Sequence, residues 1–236
     1  MKKTILAASV AAMMCGSAHA DTLLGLYIGG QMWQNEASGS FGKGSDNQTV
    51  FNPDGQSQGS FYVALEHPIP LIPNIKISST TLDTISGAYD VGSTFDTTLD
   101  ASYVDYTLYY EFFDNDLLTF DFGLTARDLE ADFKVVNSSS SDLDASGIIP
   151  MAYVSTIVGL PFTNLNVFAE ANFISIDSHT LYDAQVGISY SILNNLAVDF
   201  DVTLGYRTVK MELDDLDDFY SDLTYDGFFA GAIIHF

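Results

Sequence analysis

Period-two alternation of apolar and polar side chains constrains this chain more than any other feature. Leu118, Phe120, Phe122 and Leu124 interleave with Thr119, Asp121, Gly123 and Thr125. Leu196, Val198, Phe200, Val202, Leu204 and Tyr206 interleave with Ala197, Asp199, Asp201, Thr203, Gly205 and Arg207. Val104, Tyr106, Leu108 and Tyr110 alternate in the same way with Asp105, Thr107, Tyr109 and Glu111. Successive side chains of a strand point to opposite faces, so each segment has one apolar and one polar face. An antiparallel sandwich alternates too, but its polar face meets water and carries Lys together with Glu. Here the polar face carries Asp, Gly, Ser, Thr and Asn, and aromatics crowd the strand ends. That pattern fits an apolar outer band, aromatic girdles and a small-residue polar lumen.

Helical membrane spans are excluded, because no segment beyond residue 20 has 18 consecutive apolar residues. The nearest, Gly147 to Phe162, is interrupted by Pro150, Ser155, Thr156 and Pro161, and its β-branched residues favour a strand. The first twenty residues read as a cleaved secretory signal. Lys2 and Lys3 form its positive end, Ile5 to Met14 its apolar run, and Ala18-His19-Ala20 its cleavage site between Ala20 and Asp21. Cys15, the single cysteine, leaves with that signal, so neither disulfides nor thiol chemistry are expected afterwards. Six basic residues then remain against 31 acidic ones, a charge of −25. So few cations cannot neutralise a phosphate backbone, which excludes a nucleic-acid binder. A mean hydropathy of +0.16 is too apolar for an acidic disordered chain.

Connection lengths supply a second signal. His67 to Asn74, Phe113 to Leu117, Leu160 to Asn164 and Ser191 to Asn195 read as short turns. Asn35 to Gly59, Asp83 to Thr98, Val135 to Ser146 and Met211 to Ser221 read as longer polar loops, with Ser175 to His179 a shorter member of that set. The two kinds alternate as periplasmic turns and extracellular loops do in outer-membrane barrels. They join ten strands with both termini periplasmic; eight is the alternative, reached by merging strands between Ile148 and Phe173. The expected fold is all-β, a single closed antiparallel transmembrane barrel over residues 21–236. Closure follows because lipid offers no partner to an unpaired strand edge. Phe228, Ala230, Ala232, Ile234 and Phe236 share one face of the last strand, and Phe228, Ile234 and Phe236 are expected to form an assembly signal for the barrel-assembly machinery.

Several stretches carry a resemblance to a known family. They are Leu26-Tyr27-Ile28-Gly29-Gly30-Gln31-Met32-Trp33, Glu66-His67-Pro68-Ile69-Pro70-Leu71-Ile72-Pro73-Asn74, and Leu108-Tyr109-Tyr110-Glu111-Phe112-Phe113-Asp114-Asn115-Asp116. Gly205-Tyr206-Arg207 and Leu213-Asp214-Asp215-Leu216-Asp217-Asp218 complete the set. Together they resemble an uncharacterised family of Gram-negative outer-membrane barrel proteins described by a Gly-Gly motif. The resemblance implies location and architecture, and it implies no activity or cofactor.

The lumen-facing register collects Glu66, Asp105, Glu111, Asp121, Glu170, Asp183, Asp199 and Asp201 against Lys76, Arg127 and Arg207. A carboxylate removed from water needs a cation, a donor or a proton. Two readings stay open: a narrow cation-preferring pore, or a plugged lumen in which Arg127 and Arg207 hold the acids together. Asp214, Asp215, Asp217 and Asp218 offer oxygen ligands for Ca²⁺, though without a turn glycine or a twelve-residue loop ending in Glu. The alternative is a solvated acidic loop near lipopolysaccharide and its divalent cations. Of His67, His179 and His235, the histidines beyond the signal, only His179, near Asp177 and Asp183, sits where an outer-surface protease would work, and no paired Asp-x-His with a facing carboxylate pair and no Ser-His lipase motif accompany it. Trp33 and the terminal aromatics are expected as interface anchors. The expected role is therefore non-enzymatic, in the envelope or at its surface. A cation or small-solute channel is the alternative, and an outer-membrane hydrolase the third possibility. Outer-membrane lipids and lipopolysaccharide are the expected surroundings.

Overall fold

The computed structural model describes residues 24–43, 48–51, 55–90, 93–115, 117–136, 141–176, 179–195, 198–216 and 219–236. The expected signal, with Ala20 and Asp21, lies outside these residues, as do Asp217 and Asp218. Thirteen strands are described among them. In chain order they are β1 (Gly25–Lys43), β2 (Gln48–Phe51), β3 (Gln56–Glu66), β4 (Asn74–Thr80), β5 (Asp83–Asp90), β6 (Ser93–Asp100) and β7 (Tyr103–Asn115). There follow β8 (Leu118–Val136), β9 (Ser141–Gly159), β10 (Leu165–Ile176), β11 (His179–Asn194), β12 (Asp199–Leu216) and β13 (Phe219–His235).

Ten of them close a barrel, each antiparallel to its neighbours in the order β1-β3-β4-β7-β8-β9-β10-β11-β12-β13 and back to β1. The register shows how far the strands tilt. Following paired residues from Leu26 through Leu65, Ile75, Leu108, Leu124 and Ala152 leads to Phe173, Tyr182, Lys210 and Thr224, then back to β1 at Ser38. The circuit returns twelve residues further along the strand it left. A stagger of that size requires strands tilted by roughly 35–45° to the barrel axis.

Ten strands agree with the sequence reading, and the stretch from Ile148 to Phe173 holds two separate strands, β9 and β10. The long loops differ from the expectation. Asn35 to Gly59 is not a loop throughout, since β1 continues to Lys43 and pairs with β13 as far as Phe219. Asp83 to Thr98 contains β5 and most of β6, and β12 runs on to Leu216. The cause is the length mismatch among the wall strands. β1 and β8 outrun β3, β4 and β7 at this end, which would leave two bare edges. β2 pairs with β1, β6 with β8, and β5 bridges them, so the wall continues past the short strands.

The opposite end has short connections, as expected, but β7 runs on to Asn115 and β11 to Asn194, so two of them lie later than the expected Phe113 to Leu117 and Ser191 to Asn195. Pro68 to Pro73 forms a tight exposed turn with Leu71 at φ 71°, and the Tyr110 hydroxyl donates to the Leu71 carbonyl at 3.0 Å. Asn74 Oδ1 accepts from the His67 amide at 3.0 Å, which closes the turn at its base. This end, which also carries Leu24 and Phe236, is termed the turn end; the other is the loop end.

The outer surface of the barrel carries a continuous apolar belt. Met32, Phe61, Val63, Ile75, Ile77, Leu108, Phe122, Leu124, Val186, Ile188, Leu204 and Phe228 are all exposed on it. At its loop-end margin Tyr206 stacks edge-on against Phe228 with centroids 5.2 Å apart, and the Tyr206 hydroxyl donates to Asp226. Beyond the margin the same faces become acidic, with Glu36, Asp128, Glu130, Asp132, Glu212, Asp222 and Asp226. Lys210 stands among them, 2.9 Å from Glu212 and 3.6 Å from Asp222. Its hydrogen bond to the Glu212 carboxylate raises the ammonium above its ordinary range.

Candidate functional site: the charged lumen

Strand parity decides which side chains enter the barrel. On β12, residues alternating with Val202, Leu204 and Tyr206 point inward, and these include Asp201, Thr203 and Arg207. On β7 the inward set is Tyr103, Asp105, Thr107 and Tyr109, all buried, and on β8 it includes Asp121, Thr125, Arg127 and Leu129. All eleven charged residues assigned to the lumen from the sequence are buried or half-buried. The structure adds what parity cannot give, namely their height along the axis. Three layers result.

The loop-end layer is largely apolar, with one buried amide pair in which Asn35 Nδ2 donates to Gln58 Oε1 at 3.2 Å. Trp33, Leu82, Leu129, Met151, Leu181, Val209, Leu223, Tyr225 and Phe229 form a buried cluster inside the barrel. Here the polar lumen expected from the sequence is corrected. So is the role of Trp33: it is 1% exposed and faces the interior, not the interface. Two chain segments cap this layer from within. Leu82 lies between β4 and β5, its carbonyl accepts from the Ala101 amide at 2.8 Å, and its amide donates to the Ser102 hydroxyl at 3.2 Å.

The middle layer is ionic. Asp105 and Arg127 are direct cross-strand partners on β7 and β8, and Arg127 Nε and Nη2 donate to the two Asp105 oxygens, both at 2.7 Å. Arg127 Nη2 also donates to Asp183 Oδ2 on β11 at 3.1 Å. Arg207 on β12 grips the same Asp183 from the other side, with Nε to Oδ1 at 2.9 Å and Nη2 to Oδ2 at 2.7 Å. Its N–H groups also donate to Ser60 and Thr80 of β3 and β4, both at 3.1 Å, and to the Tyr103 oxygen at 3.0 Å. Tyr103 completes the junction: its hydroxyl donates to Asp183 Oδ2 at 2.6 Å, and its ring lies 3.6 Å beneath the Arg127 guanidinium carbon. Two guanidinium groups and two carboxylates thus balance in charge and tie six strands across the lumen. Bidentate geometry is what arginine supplies and lysine could not.

The turn-end layer is acidic. Lys76 Nζ donates to Glu170 Oε2 at 2.5 Å and lies 4.6 Å from the Tyr62 ring centre. The Tyr153 hydroxyl also donates to Glu170, at 3.2 Å, and the Tyr109 hydroxyl donates to Glu66 at 2.7 Å. Glu111, Asp121 and Asp201 share this layer, with Lys76 the cation among them. At the mouth, Asp199 lies 3.5 Å from His235, whose ring stacks flat on Tyr27 at 4.0 Å. Two glycines let large rings lie against the wall. A Cβ on Gly29 would sit 2.2 Å from the Tyr62 ring, and one on Gly205 would sit 2.5 Å from the ring of Phe229.

Sequence reasoning missed the uncharged members: Tyr103, Tyr62, Tyr153, Gln185, Ser60 and Thr80. Each lies on the inward parity of its own strand, so the signal was present for Tyr103, two residues before Asp105. The acidic segment from Met211 to Asp226 is mostly strand, with Asp214 and Asp215 in β12 and Asp222 and Asp226 in β13. Among the described residues no three His, Cys, Asp or Glu side chains converge as metal ligands. His179 opens β11, and its expected neighbour Asp177 lies outside the described residues.

No protein-family model matches the chain, and no curated protein does. Among solved structures it is similar to the translocator domain of the autotransporter NalP from Neisseria meningitidis, at 12% identity and a TM-score of 0.47, over 98% of this chain and 95% of that one. It is also similar to the outer membrane protease OmpT from Escherichia coli, at 8% identity and a TM-score of 0.47, over 95% and 99%. Neisserial surface protein A gives 13% identity and a TM-score of 0.37, over 88% and 95%.

Proposed function

We propose that this chain is an integral protein of the bacterial outer membrane whose barrel is sealed, and that it serves a non-enzymatic role in the envelope. The apolar belt supports the location. Exposed apolar surface encircling a soluble protein would drive association, whereas a belt ending in aromatics and then carboxylates suits a bilayer and its interface. In that setting the turn end is periplasmic and the loop end extracellular, with the acidic outer faces beside lipopolysaccharide and its divalent cations. Assembly through Phe228, Ile234 and Phe236 belongs to the same reading, and so does membership of the Gly-Gly family.

One observation carries the sealed state: the Asp105–Arg127–Asp183–Arg207 network crosses the lumen directly beneath an apolar core. A hydrated ion would have to break paired charges and then cross a largely apolar layer whose buried amides, Asn35 and Gln58, are bonded to each other, and both steps are costly. The histidines support the non-enzymatic reading through their engagements. His67 accepts from the Ile69 amide within its turn, and His235 is stacked on Tyr27 beside Asp199. The alternative, a cation-preferring channel, is favoured by the acidic turn-end layer and requires the arginine network to part. Planar-bilayer recording of the purified protein decides between them. The sealed barrel gives a silent bilayer; steady cation-selective steps would establish the channel instead.

A further inference from the structure

The sealed-barrel reading explains the belt, the arginine network and the outer rim, but not the space beneath the network. A cavity of about 210 Å³ remains in the lumen, lined by Tyr62, Phe168, Glu170, Gln185, Asp201 and Arg207 among others. Buried acceptor oxygens here lack a donor: Oε1 of Gln185 and Oδ1 of Asp201 on its wall, and Oδ1 of Asp121 adjoining it. Asp121 is 7% exposed and lies within reach of the charges of Glu170, Glu66 and Lys76. The cations nearby are already engaged, Arg207 by Asp183, Ser60, Thr80 and Tyr103, and Lys76 by Glu170. The surroundings therefore offer negative charge and acceptors in excess of donors.

We propose that this chamber binds a small organic ammonium cation, a primary alkylamine, arriving from the turn end. A primary ammonium group carries three donors and no acceptor, which answers the oxygens of Asp201, Gln185 and Glu170. The chamber already holds such a group in its own Lys76, gripped by a carboxylate and lying near the rings of Tyr62 and Tyr153. The aromatic walls of Tyr62 and Phe168 suit the alkyl portion and the charge together. A bare metal ion fits less well, because the space exceeds one ion and no three-ligand cluster converges among the described residues. Approach is one-sided: Leu82 and Val209 in the loop-end layer are fully buried, whereas the lumen-facing Ile157 at the turn end is 39% exposed.

Calorimetric titration of the purified protein in detergent with n-butylammonium chloride tests the site. Saturable binding is expected, weakened at least tenfold in Asp201→Asn and unaltered in the outer-rim variant Asp226→Asn. Tetramethylammonium, which has the charge but no N–H donor, should bind at least tenfold more weakly than n-butylammonium. Absence of saturable binding to the wild-type protein would overturn the proposal. So would equal affinity in Asp201→Asn, loss of binding in Asp226→Asn, or equal affinity for tetramethylammonium. Should Asp201→Asn fail to fold, Gln185→Met serves in its place with the same expectation. The inference rests on the sealed barrel only for the side of approach. Steady conductance with amine affinity intact would refute the seal and leave the binding site standing.

Discussion

Asp105 and Arg127 face each other across β7 and β8 as direct register partners, joined by two hydrogen bonds of 2.7 Å, with the guanidinium completely buried. The pair stands at the boundary between the apolar loop-end layer and the acidic turn-end layer, and Asp183 links it to Arg207. A paired charge in this position costs desolvation that its partner repays, so the two residues are best understood as one unit.

Removing one member of that unit should therefore cost far more than removing both. Arg127→Met leaves Asp105 buried without a cation and is expected to destabilise the barrel by about 3–5 kcal/mol. Adding Asp105→Leu removes the orphaned carboxylate, while Asp183 keeps Arg207, so the double variant should regain most of the loss. Urea unfolding of protein reconstituted in lipid vesicles measures both. A double variant no more stable than Arg127→Met would show that the network is not a coupled unit.

The Gly29-Gly30 pair should divide sharply on substitution. Gly30 points outward with only a Ser60 carbonyl at 3.7 Å from a would-be Cβ, so Gly30→Ala should fold normally. Gly29→Ala must displace the Tyr62 ring, and Gly227→Ala would meet the Gln34 carbonyl at 2.0 Å, where backbone has to move. Overpacking of this kind costs about 1–3 kcal/mol. The expected order of stability is Gly30→Ala above Gly29→Ala above Gly227→Ala, read by the same unfolding measurement.

That contrast marks what was legible in the sequence. Parity assigned Glu66, Asp105, Arg127, Asp183 and Arg207 to the interior because in a strand the side-chain period is two and one face meets an apolar medium. Parity says nothing about height, so the separation of the arginine network from the acids below it had to come from the register. The strand extensions at Asn35 to Lys43 and in β5 and β6 were hidden for a related reason. Beyond the belt the outer face no longer has to be apolar, alternation fades along β1, and Ser, Gly and Gln composition reads as loop although the backbone is strand. Trp33 was misplaced because an aromatic near a strand end satisfies an interface anchor and an interior plug equally well.

Charge placed on the belt should be penalised where charge placed beyond it is not. Leu124 is 70% exposed on the outer face of β8, flanked by Phe122, whereas Glu130 lies on the same face of the same strand among carboxylates. Leu124→Arg is expected to cost about 2–4 kcal/mol of stability in lipid vesicles. Glu130→Arg should change stability little and relieve repulsion from Asp128 and Asp132. Equal effects of the two substitutions would contradict the membrane reading of the belt.

The chain's single tryptophan offers the most direct check on the plugged interior. Trp33 belongs to the buried cluster with Phe229 and Leu223, and the Arg207 guanidinium carbon lies 5.1 Å from its ring centre. A side chain so placed is reached neither by water nor by acyl chains. In vesicles its fluorescence should resist quenching by acrylamide and by lipids brominated along the acyl chain. Phe228 is on the opposite face, 69% exposed at the belt margin. A Trp33→Phe, Phe228→Trp variant moves the fluorophore there, and brominated lipid should quench it strongly. An interface anchor at position 33 predicts the reverse, with the native tryptophan quenched by brominated lipid about as well as one at position 228. Because the parity of β1 puts Trp33 and Met32 on opposite faces, strong lipid quenching of Trp33 would invert that strand. Glu66 and Asp105 are placed by β3 and β7 through their pairing from β1, so the assignment of every lumen charge on that side of the barrel would fall with it.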